Sequence, residues 1–202
     1  MKRKMSVAVV SLGVLVGLGS VGAGTSQAAP IAVANFSFEA TVHVDGGFDF
    51  VNPPGWSSNN LGLHGTFNPT VGQAIPTDGN QVGYTNGTNT NLFQTLGATL
   101  QPNTTYTLLV DVLTRKDCCS FAGASIRLQA GGVDLAINSL GPLGLGVTNT
   151  LQAQFTTLAI HPQLGNALSI VLQNAANTQQ TDWDNVRLDA TANTGGQVPE
   201  PA

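Results

Sequence analysis

An all-β, two-layer antiparallel β-sandwich of jelly-roll (galactose-binding-like) type is predicted by three observations. Several runs alternate apolar and polar side chains with a two-residue period, Gly, Asn and Pro punctuate the chain between them, and no stretch carries the i, i+3, i+4, i+7 spacing of a long amphipathic helix. Hydrophobic residues are 42 % of the 202, enough for a packed core. Charged residues are only 9 %, against about 25 % in ordinary globular domains, so solubility rests on hydroxyls and amides.

Residues 1–28 come first. Lys2, Arg3 and Lys4 precede an apolar run over 7–18, and Ser26 and Ala28 stand three and one residues before a cut ahead of Ala29. This is the three-part pattern of a cleaved export signal. No charge occurs over 5–24, so an uncleaved membrane anchor is the rival reading; the glycines in that stretch and the good cleavage site favour removal. The expected product is secreted or at the cell surface, and meets a membrane only through the signal. It keeps four basic residues against eleven acidic ones, a formal charge of −7. Nucleic acid is excluded as a partner, because binding phosphate needs clustered Lys and Arg.

A β-sandwich domain is expected over 29–190, and a linker with a short C-terminal segment over 191–202. Strands are expected at 31–39, 80–84, 91–96, 105–115, 125–130, 133–138, 148–156, 167–173 and 182–189. In 105–115, Tyr106, Leu108, Val110 and Val112 share one face, while Leu109 and Leu113 lie on the other, which calls for a second covering layer. The runs at 125–130 and 133–138 are separated by Gly131-Gly132, a pair that can take positive φ at both turn positions and so close a tight hairpin. Between 40 and 79 the chain is rich in Gly, Pro and Asn. It forms either binding loops or a solvated excursion with one or two short strands.

Short motifs at both ends and in the middle carry a family resemblance. Asn35-Phe36-Ser37-Phe38-Glu39, Pro54-Gly55-Trp56, Leu92-Phe93-Gln94-Thr95-Leu96, Asn103-Thr104-Thr105-Tyr106-Thr107-Leu108 and Asp184-Asn185-Val186-Arg187-Leu188 together resemble the galactose-binding-like jelly rolls, including carbohydrate-binding modules of the family four and nine type. Val198-Pro199-Glu200-Pro201-Ala202 resembles the opening of the PEP-CTERM sorting signal of bacterial exopolysaccharide-associated surface proteins, without the hydrophobic span that follows it there. The resemblance implies a structural calcium ion where the opening Phe-Glu segment meets the closing Asp-Asn strand, matching Glu39 and Asp184, with backbone carbonyls and Asp78 or Asn80 completing the shell. Without an ion, Glu39 caps a turn and Asp184 binds neighbouring backbone.

The expected function follows from what is missing. The histidines are His43, His64 and His161, and none stands in a recognisable catalytic motif. A glycosidase needs two facing carboxyls, and Glu39, Asp45, Asp49 and Asp78 offer no specific pair. The chain therefore reads as a non-catalytic surface or matrix protein whose partner is extracellular polysaccharide, with a structural or adhesive unit lacking a sugar site as the alternative. Sugar contacts are assigned to Trp56, Asn59, Tyr84 and Trp183, although a Gly-Trp such as Trp56 also reads as core, and alternation sends Trp183 opposite Asp182 and Asp184. Cys118 and Cys119 are adjacent. Their Cα atoms, about 3.8 Å apart, are too close for an ordinary staple. A vicinal disulfide, free thiols and a bond to another chain remain open.

Overall fold

The computed structural model describes residues 27–193; most of the expected export signal and the Pro-Glu-Pro segment lie outside the described residues. Among the described residues there are eleven strands and no helix: β1 (Ala28–Ile31), β2 (Ser57–Ser58), β3 (His64–Phe67), β4 (Val82–Asn86), β5 (Asn91–Thr99), β6 (Thr104–Leu113), β7 (Ala124–Ala130), β8 (Val133–Leu140), β9 (Thr148–Thr156), β10 (Ala167–Asn174) and β11 (Gln180–Ala192). They form two antiparallel sheets. The first has the order β3-β4-β11-β6-β9, with β1 beside the far end of β11, and the second has the order β2-β5-β10-β7-β8.

Alternation explains why the sheets stack. Tyr106, Leu108, Val110 and Val112 of β6 point inward with Trp183, Val186 and Leu188 of β11, and meet Leu92, Leu96, Ile126, Leu128, Leu168, Ile170 and Leu172 of the second sheet. Removing that apolar surface from water is the main force holding the layers together. β7 and β8 pair through Ala130 and Val133. Gly131 and Gly132 take φ of 57° and 79°, so the expected hairpin forms as argued.

Two expectations are corrected. Residues 31–39 are not a strand: only Ile31 belongs to β1, and Asn35 and Phe38 adopt positive φ of 49° and 60°. Asn35 is the cause. Its backbone carbonyl accepts from Phe38 N at 3.2 Å and its side-chain oxygen from Ala40 N at 3.0 Å, a local turn that competes with pairing. At the other end β11 runs past Ala190, with Thr191 and Ala192 opposite Thr105 and Thr104 of β6.

The outer face of the first sheet has its own cover. Phe67, Val82, Tyr84 and Leu113 form a second buried cluster there, under the segment 42–51, whose Phe48 bridges to Phe67. The segment lies close because Gly65 has no side chain; a Cβ at that position would collide with Asp49. The layer anticipated for Leu113 is thus the segment rich in Gly, Pro and Asn.

Candidate active site

Strand alternation builds one end of that covered face. Gly65, Tyr84, Asp182 and Leu113 lie side by side across β3, β4, β11 and β6. Two residues along, Asn86 and Gln180 pair in the same way. With Phe67, Arg115 and the overlying Phe48 and Phe50, Tyr84, Asn86 and Gln180 line a cavity of about 180 Å³. Its walls are aromatic: Phe48 and Phe50 meet edge to face at 5.2 Å, and Phe50 meets Tyr84 in the same way at 6.4 Å. The Arg115 guanidinium lies 4.7 Å over the Phe67 ring. A larger groove of about 470 Å³ crosses the outer face of the second sheet, but hydroxyls, amides and Arg127 line most of it.

The cavity wall hides an acid. Asp182 is completely buried behind Tyr84 and Gln180. Its Oδ1 accepts from Gln180 Nε2 at 2.7 Å, while its Oδ2 has no hydrogen-bond partner. Burial pushes its pKa up to about 7, against the lowering effects of the Gln180 hydrogen bond and the Arg115 charge. A buried carboxyl at neutral pH is thereby poised between donor and acceptor of a proton. Burial, followed by the charges of Asp49 and Asp182, also lifts the Tyr84 phenol well above its usual range.

The overlying segment is anchored to this site. Tyr84 Oη donates to the Asp49 carbonyl. Asp49 Oδ1 accepts from Thr66 N at 2.9 Å, and its Oδ2 lies 3.1 Å from His43 Nε2. Beside the cavity, Cys118 and Cys119 form a vicinal disulfide, with Cys119 Sγ 3.8 Å from Gln180 Oε1. This settles the three open alternatives for the cysteine pair.

Of the sugar-contact candidates, Tyr84 alone reaches the cavity. Trp56 is 3 % exposed, stacks on Phe38 at 5.4 Å and donates to the Asn35 carbonyl at 3.3 Å. Trp183 is buried between the sheets and donates to Thr85 Oγ1 at 2.8 Å. A ring sealed in the core has no face for a ligand, so both are corrected to core. Asn59 is exposed, but its side chain bonds Asn91 N at 2.9 Å and the Asn89 carbonyl at 3.1 Å, tying the β2 edge down. Sequence reasoning missed Phe48, Phe50, Arg115, Gln180 and Asp182 as a group. The available signal was the i, i+2 spacing of Gln180, Asp182 and Asp184, which puts all three on the face away from Trp183.

The four residues assigned to calcium do converge, at the loop 77–81. Glu39 Oε1 accepts from Asn80 N at 2.7 Å and Gln81 N at 2.6 Å. Asp184 Oδ2 accepts from Thr77 N at 2.7 Å, Thr77 Oγ1 at 3.0 Å and Asp78 N at 2.8 Å, and its Oδ1 from Asn185 N at 2.7 Å. Asp78 and Asn80 meet these carboxylates through backbone N–H groups, which cannot ligate a cation, so the structure gives neither the side-chain ligand role expected for it. The two carboxylates offer hard oxygen of the kind that suits calcium, and among the described residues no hydrogen bond reaches Glu39 Oε2, although most of the other carboxylate oxygens are taken up by N–H donors. Among the described residues no three His, Cys, Asp or Glu side chains lie close enough to hold a metal, so other ligands would have to be neutral oxygens.

Comparison with known proteins fixes the class. The fold is shared by the crystal structure of the Stig cyclase Fisc from Fischerella sp. TAU in complex with (3Z)-3-(1-methyl-2-pyrrolidinylidene)-3H-indole, at 27 % identity and a TM-score of 0.74, over 82 % of this chain and all of that one. A second cyclase structure from the same organism is 29 % identical, with a TM-score of 0.71 over 81 % of this chain and 98 % of that one. A third, in complex with 4-(1H-indol-3-yl)butan-2-one, is 27 % identical, with a TM-score of 0.71 over 82 % of this chain and all of that one. No curated protein matches in sequence. The profile of the HpiC1-like family, described as HpiC1 cyclase, matches residues 29–189. These matches overturn the PEP-CTERM reading, the non-catalytic role and the polysaccharide partner; the motifs behind them report the jelly-roll scaffold, which many functions share. The chain belongs to the HpiC1-like cyclase family.

Proposed function

We propose that this protein is a cyclase acting on a small indole-bearing molecule held in the aromatic cavity, with Asp182 as its proton donor. The observation that carries the reading is the placement of Asp182: one carboxyl oxygen held by Gln180, the other unpartnered, directly behind walls made by Phe48, Phe50, Phe67 and Tyr84. Aromatic walls suit an indole ring, and a proton-catalysed ring closure is balanced. The acid protonates an unsaturated substrate, the cation closes its ring, and loss of a proton from the closed cation returns Asp182 to its acid form. Gln180 stands between Asp182 and the cavity, so its side chain has to make room when substrate approaches the acid.

The kinship with indole-binding cyclases supplies both the assay and the probe. A set of 3-alkenylindoles incubated with the purified protein is expected to give a product of unchanged mass and altered chromatographic retention, abolished by Asp182→Asn. Calorimetric titration with 4-(1H-indol-3-yl)butan-2-one is expected to show binding that Phe50→Ala weakens. Absence of both product and binding would overturn the reading.

Calcium belongs to the proposal as a structural ion. Glu39 and Asp184 would hold it with oxygens of the 77–81 loop, and it would stabilise the sandwich beside the site without entering the chemistry. The basic start and apolar run of residues 2–18 support export of the enzyme, which the N-terminal mass of the mature protein tests.

A further inference from the structure

Resting on the indole-cavity reading, we infer that Arg115 selects the substrate: the indole it takes carries a side chain ending in a hydrogen-bond acceptor, a carbonyl or carboxylate oxygen. Arg115 lines the cavity, and its side chain is only 14 % exposed. Burying a guanidinium is costly unless its donors are used. Asp117 uses two of the five N–H groups, accepting from Nε at 2.9 Å and from Nη2 at 2.6 Å. The remaining three have no hydrogen-bond acceptor among the described residues. Asp117 is itself 38 % exposed, so the ion pair is arranged with its carboxylate toward solvent and its cation toward the cavity.

The other polar groups around the cavity are largely committed. Tyr84 Oη donates to the Asp49 carbonyl, and Gln180 Nε2 donates to Asp182. Lys116, the neighbouring cation, turns away and donates to the Val71 carbonyl at 2.9 Å. Arg115 is thus the charged donor left for a ligand, and stacking on Phe67 together with the Asp117 fork fixes its plane in advance. A preorganised, partly desolvated guanidinium rewards an acceptor and penalises a hydrocarbon that would cover it. The same pocket therefore holds an aromatic surface for the ring and, beside the neutral Asn86 amide, one charged donor array for the end of its side chain.

The test compares two indoles of similar size on the full chain by calorimetry: 4-(1H-indol-3-yl)butan-2-one, which ends in a ketone, and 3-butylindole, which lacks the oxygen. Wild type is expected to bind the ketone at least tenfold more tightly, Arg115→Met to bind both alike, and Arg115→Lys to keep part of the preference. Equal affinities in wild type, or a preference that survives in a folded Arg115→Met, would overturn the inference and leave the cavity reading standing. Failure of wild type to bind either indole would remove the cavity reading and the inference together. The wild-type comparison needs no variant, so it decides even if Arg115→Met does not fold.

Discussion

Asp182 and Asp184 leave β11 on the same face, two residues apart, and both are fully buried, yet their surroundings differ. Asp184 collects four donors from Thr77, Asp78 and Asn185. Asp182 has one, from Gln180, and an oxygen with none. A carboxylate surrounded by backbone N–H groups is a structural clamp, because moving it orphans every donor it holds. A carboxyl left half-satisfied behind an aromatic cavity keeps proton exchange as its outlet. Burial alone therefore does not single out the proposed acid; the donor count separates Asp182 from Asp184.

The sharpest way to break this contrast is Asp182→Asn. An amide there still accepts from Gln180 through its oxygen and keeps the side-chain volume, so folding should be nearly unchanged. Loss of a general acid is expected to cost about 10²- to 10⁴-fold in turnover, measured as isomer formed per enzyme. The same variant tests the linkage to pH. A carboxyl with a higher pKa folded than unfolded binds its proton more tightly in the native state, so it favours folding at low pH. Asp182, raised to about 7, contributes fully below about pH 4 and loses that contribution as pH rises through about 7. Asp184, raised to about 6, acts in the same direction, but its contribution is lost at a lower pH. Urea melts in calcium-free buffer between pH 6.5 and 7.5 should therefore show wild-type stability falling with pH and Asp182→Asn markedly flatter. A parallel slope in both would remove Asp182 from the account.

Asp184→Ala is expected to do the reverse. It orphans three backbone N–H groups and the Thr77 hydroxyl, and should lower stability by about 3 kcal/mol while leaving the cavity walls in place. Calcium sharpens the comparison. Added calcium should raise the melting temperature of wild type, and chelator should remove the gain, through the preferential binding of a ligand to the folded state. Asp184→Ala should show neither effect, whereas Asp182→Asn should respond like wild type. Identical melting curves for wild type with and without calcium would exclude the ion.

Much of the scaffold is legible in the sequence because side-chain alternation and glycine turns are local. The β7–β8 hairpin and the inward face of β6 follow from neighbouring residues alone. The strand expected over 31–39 fails because Asn35 offers the backbone a local turn, which alternation does not register. The site is harder to see. Its walls come from residues near 48, 67, 84, 115 and 180, joined only by the pairing of β3, β4, β11 and β6, and its acid is made by burial rather than by a motif. Alternation does separate Trp183 from the carboxylates, and the segment 40–79 stands out by composition. That the segment folds down over those carboxylates rests on contacts such as Gly65 with Asp49, remote in the chain and silent in its pattern.

The smallest effect expected lies in the segment over the site. Phe50 is 55 % exposed, touches Phe48 and Tyr84 edge to face, and lines the cavity from outside the sheet. Phe50→Ala removes a half-exposed ring, so its cost to folding is well below the 3–5 kcal/mol of a core aromatic. It also deletes one face of the enclosure proposed for the indole. Edge-to-face contact is worth about 0.5–1.5 kcal/mol beyond area burial, which corresponds to a loss of roughly two- to tenfold in affinity for 4-(1H-indol-3-yl)butan-2-one. Phe93→Ala, on the polar outer face of the second sheet, is the matched control, since that ring is also part-exposed and lines the 470 Å³ groove. If Phe93→Ala weakened the indole and Phe50→Ala did not, the ligand would belong to the second sheet, and the distinction between Asp182 and Asp184 would lose its functional meaning.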